Sequence, residues 1–460
     1  MMQLKYFKLY TLILALIILS ASCKMGKNYT RPEITSSDSF RFAEGDTTFN
    51  TALKWWDLFD DPVLDTLIQT ALTHNKDVLA AAHNVEAVRI QMAIQKADML
   101  PKFNLSGQAQ HGNFIGVQQE TASSNFNVFG QASWEIDFWG KFRRLNEVAK
   151  AQYLASEYGL SSLKLSLIST VATTYFQVLE FREKQQIAES TYAIRDSSYR
   201  LIKQRFEAGI IPEIDLNHAQ IQKAIAASAI PVYKRYAAQA ENALSVLTGR
   251  NPSGLTSTNK LASITPIPEI PAGLPADLLE RRPDVLLAEQ EMVAQNAMVG
   301  VAQANRLPSI SLTGALGFAS SDLSSLTSGD PAWNVGGSLL GPIFQWNQNK
   351  NRVKAEDSRR KASIQNYQNV ALNAFREVED MLIEIATLKE EEVAISEHVS
   401  AAISAMQLSS ERYDKGIASY IEYLESQRQA FDAQMSMAGN RQDLLAAYIN
   451  LYQAIGGGWK

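Results

Sequence analysis

The chain has 460 residues, more than one ordinary soluble core accommodates. Charged residues make up 20% of it, and the contents of 24 glycines and 14 prolines are modest, which excludes broad disorder. The formal net charge is −5 and no block is rich in lysine or arginine, which argues against nucleic acid as a partner.

The N-terminus predicts a secretory signal. Lys5 and Lys8 form a basic start, residues 9–19 form an apolar run, and small residues follow. A run of this length is too short to span a bilayer as a helix, so we assign residues 1–22 to a signal peptide.

The single cysteine, Cys23, follows the small residues directly. One cysteine permits neither an internal disulfide nor a thiolate metal cluster. Its position resembles a bacterial lipobox, although Ser20 replaces the usual leucine. The alternative is a leftover thiol beside a signal peptidase site. We predict that Cys23 is lipidated and that residues 23–50 form an extended segment behind this anchor.

The two halves of the mature chain repeat each other. Residues 100–107 (LPKFNLSG) recur as residues 307–314 (LPSISLTG), and residues 205–209 (RFEAG) recur as residues 412–416 (RYDKG). Both recurrences lie 207 positions apart, from 100 to 307 and from 209 to 416. Such a long period indicates one duplicated structural unit instead of a solenoid. We predict a first repeat at 51–250, a linker at 251–275, a second repeat at 276–455 and a tail at 456–460.

Each repeat contains a predicted β-hairpin, at about 101–138 and about 307–345. Residues 125–138 alternate with period 2 between an apolar face and a nearly polar face, as in a strand. The other strands alternate similarly over about 10–13 residues, the length that a tilted strand needs to cross a bilayer. A soluble antiparallel sheet with one wet face would give the same alternation.

Four strands cannot close a barrel around water, and an open edge in lipid would leave costly unpaired backbone groups. If the apolar faces contact lipid, several chains must therefore contribute to one barrel. We expect the polar hairpin tips, residues 112–124 and 319–332, to be the external loops.

Very long helices follow the hairpins. Residues 141–208 contain no proline and only Gly159, and residues 348–415 contain neither proline nor glycine. At ~1.5 Å per residue, each stretch is roughly 100 Å of helix. Gly209 and Gly416 predict the C-terminal caps. Returning helices complete the pairs at about 141–248 and 348–455, with a kink expected at Pro231.

Three segments carry a family resemblance. Residues 28–32 (NYTRP) follow Cys23, residues 55–62 (WWDLFDDP) with Leu64 and Leu67 resemble the first helix of a known family, and residues 279–285 (LERRPDV) lead into the second hairpin. Together they resemble the TolC-type outer-membrane efflux channels, in the lipoprotein branch that contains OprM and NodT. The resemblance covers nearly all of the mature chain.

The resemblance implies a mainly α, internally duplicated fold with a membrane β-barrel contribution. Three chains of four strands would complete a twelve-stranded barrel, and the long antiparallel helices would form a periplasmic α-barrel. It implies a homotrimer in the bacterial outer membrane, surrounded by outer-membrane lipid and anchored through Cys23.

The implied function is the exit duct of a tripartite efflux system, which conducts small toxic solutes passively. The implied partners are a periplasmic adaptor protein and an inner-membrane pump of the resistance-nodulation-division type. No enzyme activity, cofactor or metal site is expected, because the five histidines are scattered and no catalytic constellation is found. Alternatives are an exit channel for secreted polypeptides and a lipid-anchored coiled-coil scaffold without a pore.

In the family, acidic residues close to the capping glycine form rings that constrict the tunnel. The resemblance places this aperture gate at Glu422 and Glu425, with Asp215 as the counterpart in the first repeat and Tyr413 as a closing tyrosine. Crowded carboxylates should raise some pKa values or attract cations. Ala418 stands where strongly closed members have an arginine. The helix-tip turns are predicted to dock the adaptor or pump: Gly209, Ile210, Ile211, Pro212, Gly416, Ile417, Ala418 and Ser419.

Overall fold

The computed structural model describes residues 24–34, 39–42, 59–112, 122–256, 259–261, 264 and 275–457. The predicted signal peptide, Cys23 and the centre of the first hairpin tip lie outside these residues.

The elements follow the order that the sequence predicts, with a hairpin and a long helix pair in each half. The first half contains α1 (Pro62–His74), α2 (Lys76–Ala97), β1 (Lys102–Gly112), β2 (Ser123–Ile136), α3 (Lys141–Glu207) and α4 (Glu213–Leu247). The second half contains α5 (Pro275–Arg281), α6 (Pro283–Ala304), β3 (Ser309–Ser320), β4 (Ala332–Leu340), α7 (Gln348–Asp414) and α8 (Tyr420–Ala454), with a 3-10 turn at Leu323–Ser325.

The offset of 207 residues extends through the helices. The helices α3 and α7 have 67 residues each and begin at Lys141 and Gln348. The returning helices α4 and α8 have 35 residues each and begin at Glu213 and Tyr420. Helix α4 continues through Pro231 without a break. The expectation of paired long helices is confirmed.

The chain divides into two compact units, and each unit combines segments of both repeats. One unit contains the described residues of Met1–Ile34 with Asn84–Glu157 and Leu287–Asn369. The other contains the described residues of Thr35–His83 with Tyr158–Leu286 and Val370–Lys460.

The first unit holds a four-stranded antiparallel sheet in the order β1-β2-β3-β4. Its outer strands are therefore β1 and β4. Several large apolar side chains on them are uncovered: Phe103 is 78% exposed, Leu105 is 80% exposed and Val335 is 80% exposed. Exposed apolar residues at this density indicate a surface that something outside the single chain covers.

Residues 24–31 pack against helices of the same unit. The buried guanidinium of Arg144 donates hydrogen bonds to the carbonyl oxygens of Met25 (2.8 Å) and Gly26 (2.6 Å). A Cβ at Gly300 would lie 2.7 Å from the carbonyl oxygen of Met25, so only glycine admits the segment here. Further along, Arg31 pairs with Glu289 at 2.6 Å. The stretch that follows Cys23 is thus held in place.

The second unit has an apolar core built from α1, α3, α7 and α8. Val171, Tyr175 and Phe176 of α3 are fully buried in it, with Ile68 of α1 and Ile449 of α8. Buried positions of α3 recur at three and four residues, from Leu167 through Val171 and Tyr175 to Val178, as an amphipathic helix requires. The Tyr175 hydroxyl donates to Asp61 (2.6 Å), which also caps the N-terminus of α1.

Among the helices that the structure describes, none combines the length and the apolarity that a membrane-spanning helix needs.

The most specific sequence motif, residues 279–285, has a structural role in this unit. The buried side chain of Arg282 bonds Asp284 through two nitrogens (3.0 and 2.7 Å) and Glu377 at 2.7 Å. It also donates to the carbonyl oxygen of Ala454 (2.9 Å), one of the last carbonyl groups of α8. One arginine therefore satisfies a helix end and joins three helices.

Arg282 provides a test of this packing. Arg282→Met should lower the free energy of unfolding by about 2 kcal/mol or more, because it leaves a helix-end carbonyl and two carboxylates without their donor. The neighbouring Arg281→Met is the matched control, since Arg281 pairs at 3.4 Å with Asp277 on its own helix, and its loss should cost under about 1 kcal/mol. Thermal unfolding followed by circular dichroism measures the loss of stability in both variants. Equal losses for Arg282→Met and Arg281→Met would contradict the role assigned to Arg282.

Candidate functional site

The two helix-tip turns of the second unit carry the predicted site residues. Helix α3 is followed by Gly209 with φ +74°, and α7 is followed by Gly416 with φ +72°. The amide of Ile210 donates to the carbonyl oxygen of Arg205 (2.9 Å), and the amide of Ile417 donates to that of Arg412 (2.9 Å). This is the Schellman pattern, in which a left-handed residue reverses the chain and satisfies helix-end carbonyls.

The two returning helices begin differently. Ser419 caps α8, and its hydroxyl accepts a hydrogen bond from the Glu422 amide (3.3 Å). The equivalent residue before α4 is Pro212, which makes no side-chain cap. The second turn therefore has a stabilised helix start that the first lacks.

A tyrosine cluster joins the two turns. Tyr413, Tyr420 and Tyr423 are each less than 10% exposed and pack together with Ile202 and Ala219. The ring centres of Tyr413 and Tyr420 are 5.5 Å apart, and the rings of Tyr413 and Tyr423 stack with centres 6.1 Å apart. Burial raises the pKa of the Tyr420 hydroxyl, so this group remains neutral. The cluster fixes the tips of both helix pairs against each other.

The two arginines that precede the capping glycines make different contacts: one pairs with a carboxylate and the other stacks on a tyrosine ring. Arg412 donates to Glu422 across the second turn at 3.2 Å. The equivalent residues of the first repeat are Arg205 and Asp215, but Arg205 lies over the Tyr413 ring instead, 4.9 Å from its centre. The buried hydroxyl of Tyr413 has no hydrogen-bond partner among the described residues.

Glu425 is the most strongly perturbed acid here. Arg428 donates to it through two nitrogens (3.0 and 2.6 Å), and Gln429 donates a third hydrogen bond (2.9 Å). The Arg428 hydrogen bonds, with a smaller contribution from Gln429, lower the pKa of Glu425 to about 2. Within one chain this carboxylate is therefore ionised at all physiological pH values, and no rise of its pKa is seen.

The predicted residues thus lie at the same two turns. Tyr413 is buried in the tyrosine cluster, Glu422 and Glu425 lie exposed in the first turns of α8, and Asp215 lies in the first turn of α4. Ring formation by these acids involves more than one chain and stays a prediction.

Sequence reasoning missed Arg412, Arg428, Tyr420 and Tyr423, although the i, i+3 spacing of the two tyrosines marks one helix face.

Both turns also present isoleucines to solvent. Ile210 is 70% exposed and Ile417 is 65% exposed, and each directly follows its capping glycine. Ile214 and Ile421, four residues further on, are 56% and 61% exposed.

Within the described part of the chain, no three His, Cys, Asp or Glu side chains are grouped to hold a metal ion.

Comparison with known proteins agrees with this architecture. The chain is 33% identical over 412 residues to the toluene efflux pump outer membrane protein TtgC of Pseudomonas putida, covering 88% of this chain and 85% of TtgC. Among solved structures, the outer-membrane channel OprN matches with a TM-score of 0.88 and 28% identity over 95% of this chain and 100% of OprN. The Campylobacter jejuni CmeC outer membrane channel also matches with a TM-score of 0.88 and 28% identity, and the match covers 95% of each chain.

The model of one protein family, described as outer membrane efflux protein, matches residues 67–250 and 274–457. These two ranges are again offset by 207 positions, one in each repeat. The resemblance that the motifs predicted is confirmed, and the chain belongs to the outer membrane efflux protein family.

Proposed function

We propose that this chain forms the outer-membrane exit duct of a tripartite efflux system, which conducts small toxic solutes passively. The four-stranded sheet with two outer strands and uncovered apolar side chains carries the proposal. Unpaired strand edges cost several kcal/mol for each backbone group in lipid, so such a sheet needs further strands. Three copies supply twelve strands, enough for a barrel with a lumen.

The partners follow from the same architecture. A duct in the outer membrane has no energy source of its own, so the driving force comes from an inner-membrane pump of the resistance-nodulation-division type. A periplasmic adaptor links the pump to the duct. Relatives are named as components of toluene, solvent and antibiotic efflux pumps. Walls of a wide duct select weakly, so the pump determines which of these solutes the system exports.

We assign the aperture gate to Glu422, Glu425, Asp215 and Tyr413, to which Arg412 is added. The Arg412–Glu422 pair bridges the turn between α7 and α8 at 3.2 Å. We propose that this pair takes the place of the arginine that strongly closed family members have at the position of Ala418. Glu425, whose pKa is about 2, keeps its charge at any pH that the periplasm reaches. In a trimer these acids give a negatively charged constriction that favours cations.

The gate can be tested by ion selectivity in planar bilayers. The purified protein should conduct and select cations across a KCl gradient. Glu422→Ala with Glu425→Ala should move the reversal potential toward zero, and Arg412→Ala should move it the other way, because it leaves Glu422 unneutralised. Glu390→Ala, an exposed acid on α7 outside the turns, is the matched control. Unchanged selectivity in both gate variants would reject the acidic gate, and absence of any current would favour a scaffold without a pore.

The helix-tip turns are the proposed docking surface for the adaptor. The four exposed isoleucines, two in each repeat, offer apolar contacts at equivalent positions. Ile210 and Ile417 directly follow the capping glycines Gly209 and Gly416, where a Cβ would have nothing within 4 Å, so the surface beside them is open. A partner with apolar residues at the tip of a helical hairpin fits this surface.

Docking can be tested by Ile210→Ser with Ile417→Ser. The double variant should still form the trimer but bind the adaptor at least about tenfold more weakly, because two exposed apolar anchors are lost. Surface plasmon resonance measures this as the binding of a periplasmic adaptor protein to the duct in nanodiscs. Ile225→Ser on α4, 45% exposed and outside the turns, is the control. Equal affinity for all three proteins would place the docking surface elsewhere.

We propose lipidation of Cys23. The support is that residues 24–31 are held against the same unit as the sheet, so the chain next to the anchor has a fixed position. Mass spectrometry of the mature N-terminal peptide should find acyl chains on Cys23, and Cys23→Ala should lose them. An unmodified thiol in the mature wild-type protein would refute the anchor.

A further inference from the structure

A cavity of about 420 Å³ lies beside the first described residues of the chain. Three elements of the first unit line it: the segment that begins at Lys24, the first turns of α3 and the middle of α6. One wall is apolar and consists of Ala151, Leu154, Val293 and Ala297. A cavity of this size accepts a small ligand or the headgroup of a lipid.

The polar wall of the cavity carries more positive than negative charge. Lys24, Arg144 and Lys150 belong to it, and Glu147 is the one acid among the described residues that line it. Lys24 and Arg144 both pair with Glu147, the second at 2.7 Å. Lys150 makes no ion pair within the described part of the chain. Three cations against one acid leave an excess of two positive charges on this wall.

The cations at this wall repel one another. Burial lowers the pKa of the Lys24 ammonium group, and the nearby charges of Arg144 and Arg143 lower it further. Burial and Arg143 lower the pKa of Arg144 in the same way. Positive charge is therefore held here at a cost in free energy, and a bound anion would offset that cost.

The segment that carries Lys24 is fixed in the structure without a ligand. The side-chain amide of Asn296 donates to the carbonyl oxygen of Lys27 (3.1 Å), and Arg144 donates to those of Met25 and Gly26. The guanidinium of Arg144 is occupied by these contacts, so it positions the segment instead of contacting a ligand. A preordered site loses little conformational entropy when it binds.

Three side chains that line the cavity are available to a ligand. The ammonium group of Lys150 and the side-chain amides of Asn28 and Gln290 have no hydrogen-bond partner among the residues that the structure describes. An ammonium group and two amide N–H groups are donors that suit the oxygens of a phosphate group. Beside an apolar wall, they fit a phosphate ester that carries carbon on one side.

The second repeat indicates that this cavity is a specialised feature of the first. Lys150 corresponds to Asp357, and the apolar Leu154 corresponds to Lys361, each 207 positions further on. Asp357 and Lys361 pair with each other at 3.1 Å. The counterpart of Val293 is charged as well. The duplicate surface therefore neutralises itself, whereas the first repeat combines excess positive charge with an apolar wall.

We infer that this cavity binds the phosphate-bearing headgroup of an anionic phospholipid. Lys150, Asn28 and Gln290 hold the phosphate oxygens, Lys24 adds its charge, and the apolar wall contacts the carbon atoms of the headgroup. This inference rests on the proposed outer-membrane location and on the lipidation of Cys23, and it adds a lipid of the surrounding leaflet as a specific ligand.

The place of the cavity in the chain makes lipid the source of the phosphate. Cys23 directly precedes Lys24, and a lipidated cysteine lies at the bilayer surface. Helix α3 rises by only ~20 Å from Lys141 to Leu154, so the cavity lies close below the end of β2. Basic pockets at such a depth bind the phosphates of lipid headgroups.

Native mass spectrometry of the purified protein in detergent tests this inference. Given phosphatidylglycerol and phosphatidylcholine with identical acyl chains, the protein should retain phosphatidylglycerol preferentially, one molecule for each chain. Retention should fall as the ammonium acetate concentration rises, because salt screens the charges. Lys150→Gln should weaken binding of phosphatidylglycerol about fivefold, the factor expected for one lysine beside an anionic headgroup, and leave binding of phosphatidylcholine unchanged.

Two more variants complete the comparison. Val293→Glu places on the apolar wall the acid that the second repeat has at Glu86, and it should weaken binding at least about tenfold through like-charge repulsion. The side chain of Val293 is only partly buried, and the mass spectrum shows whether the variant still assembles. The matched control is Lys350→Gln, which removes an exposed cation near the start of α7 and should bind like the wild type. Equal retention of both lipids, or equal affinity of all four proteins for phosphatidylglycerol, would overturn the site.

Further measurements identify the occupant and separate the site from the duct. Displacement of the lipid by millimolar inorganic phosphate would reveal a site for a free anion. Binding that appears only in Cys23→Ala would mean that the protein's own acyl chain fills the cavity. Either result would overturn the lipid assignment. Lys150→Gln should conduct like the wild type in planar bilayers. A wild-type protein that retains phosphatidylglycerol but carries no current would overturn the duct and leave the lipid site standing.

Discussion

The hydrogen-bonding requirement of the peptide backbone in lipid is the constraint on which the rest of this molecule depends. A strand edge in the hydrocarbon region has no water to replace its missing partners, and each unpaired group costs several kcal/mol. A chain whose described residues form one four-stranded sheet with two outer edges cannot meet this requirement alone. Duplication of the hairpin, assembly of copies and the exposed apolar face are three consequences of one physical demand.

Duplication gives the chain two versions of nearly every element, and the differences between the versions locate specialised functions. Gly300 makes room for the N-terminal segment, whereas the equivalent residue, Ala93, lies exposed. Ser419 caps a helix where Pro212 cannot, and Arg412 pairs with Glu422 where Arg205 stacks on Tyr413. The scaffold is kept symmetric, and the two turns diverge in charge and capping.

Much of the fold could be predicted, because its signals are local. Period-2 alternation predicted the strands, and the absence of proline and glycine predicted α3 and α7. Strand β4 ends at Leu340, earlier than the pattern suggested, because Pro342 cannot donate to the ladder. The partners of the acids could not be predicted, since the contact between Arg412 and Glu422 depends on the geometry of the turn between them. The low pKa of Glu425 has a local cause instead, since Arg428 lies three residues further along the same helix and donates two hydrogen bonds to this carboxylate.

The most direct test of the central claim is amide hydrogen exchange of the four strands in protein reconstituted into lipid bilayers. If the outer edges pair with other copies, the amides of β1 and β4 should be as strongly protected as those of β2 and β3, which have neighbours on both sides within the chain. Fast exchange at alternate amides of β1 and β4, with protection confined to β2 and β3, would contradict the account.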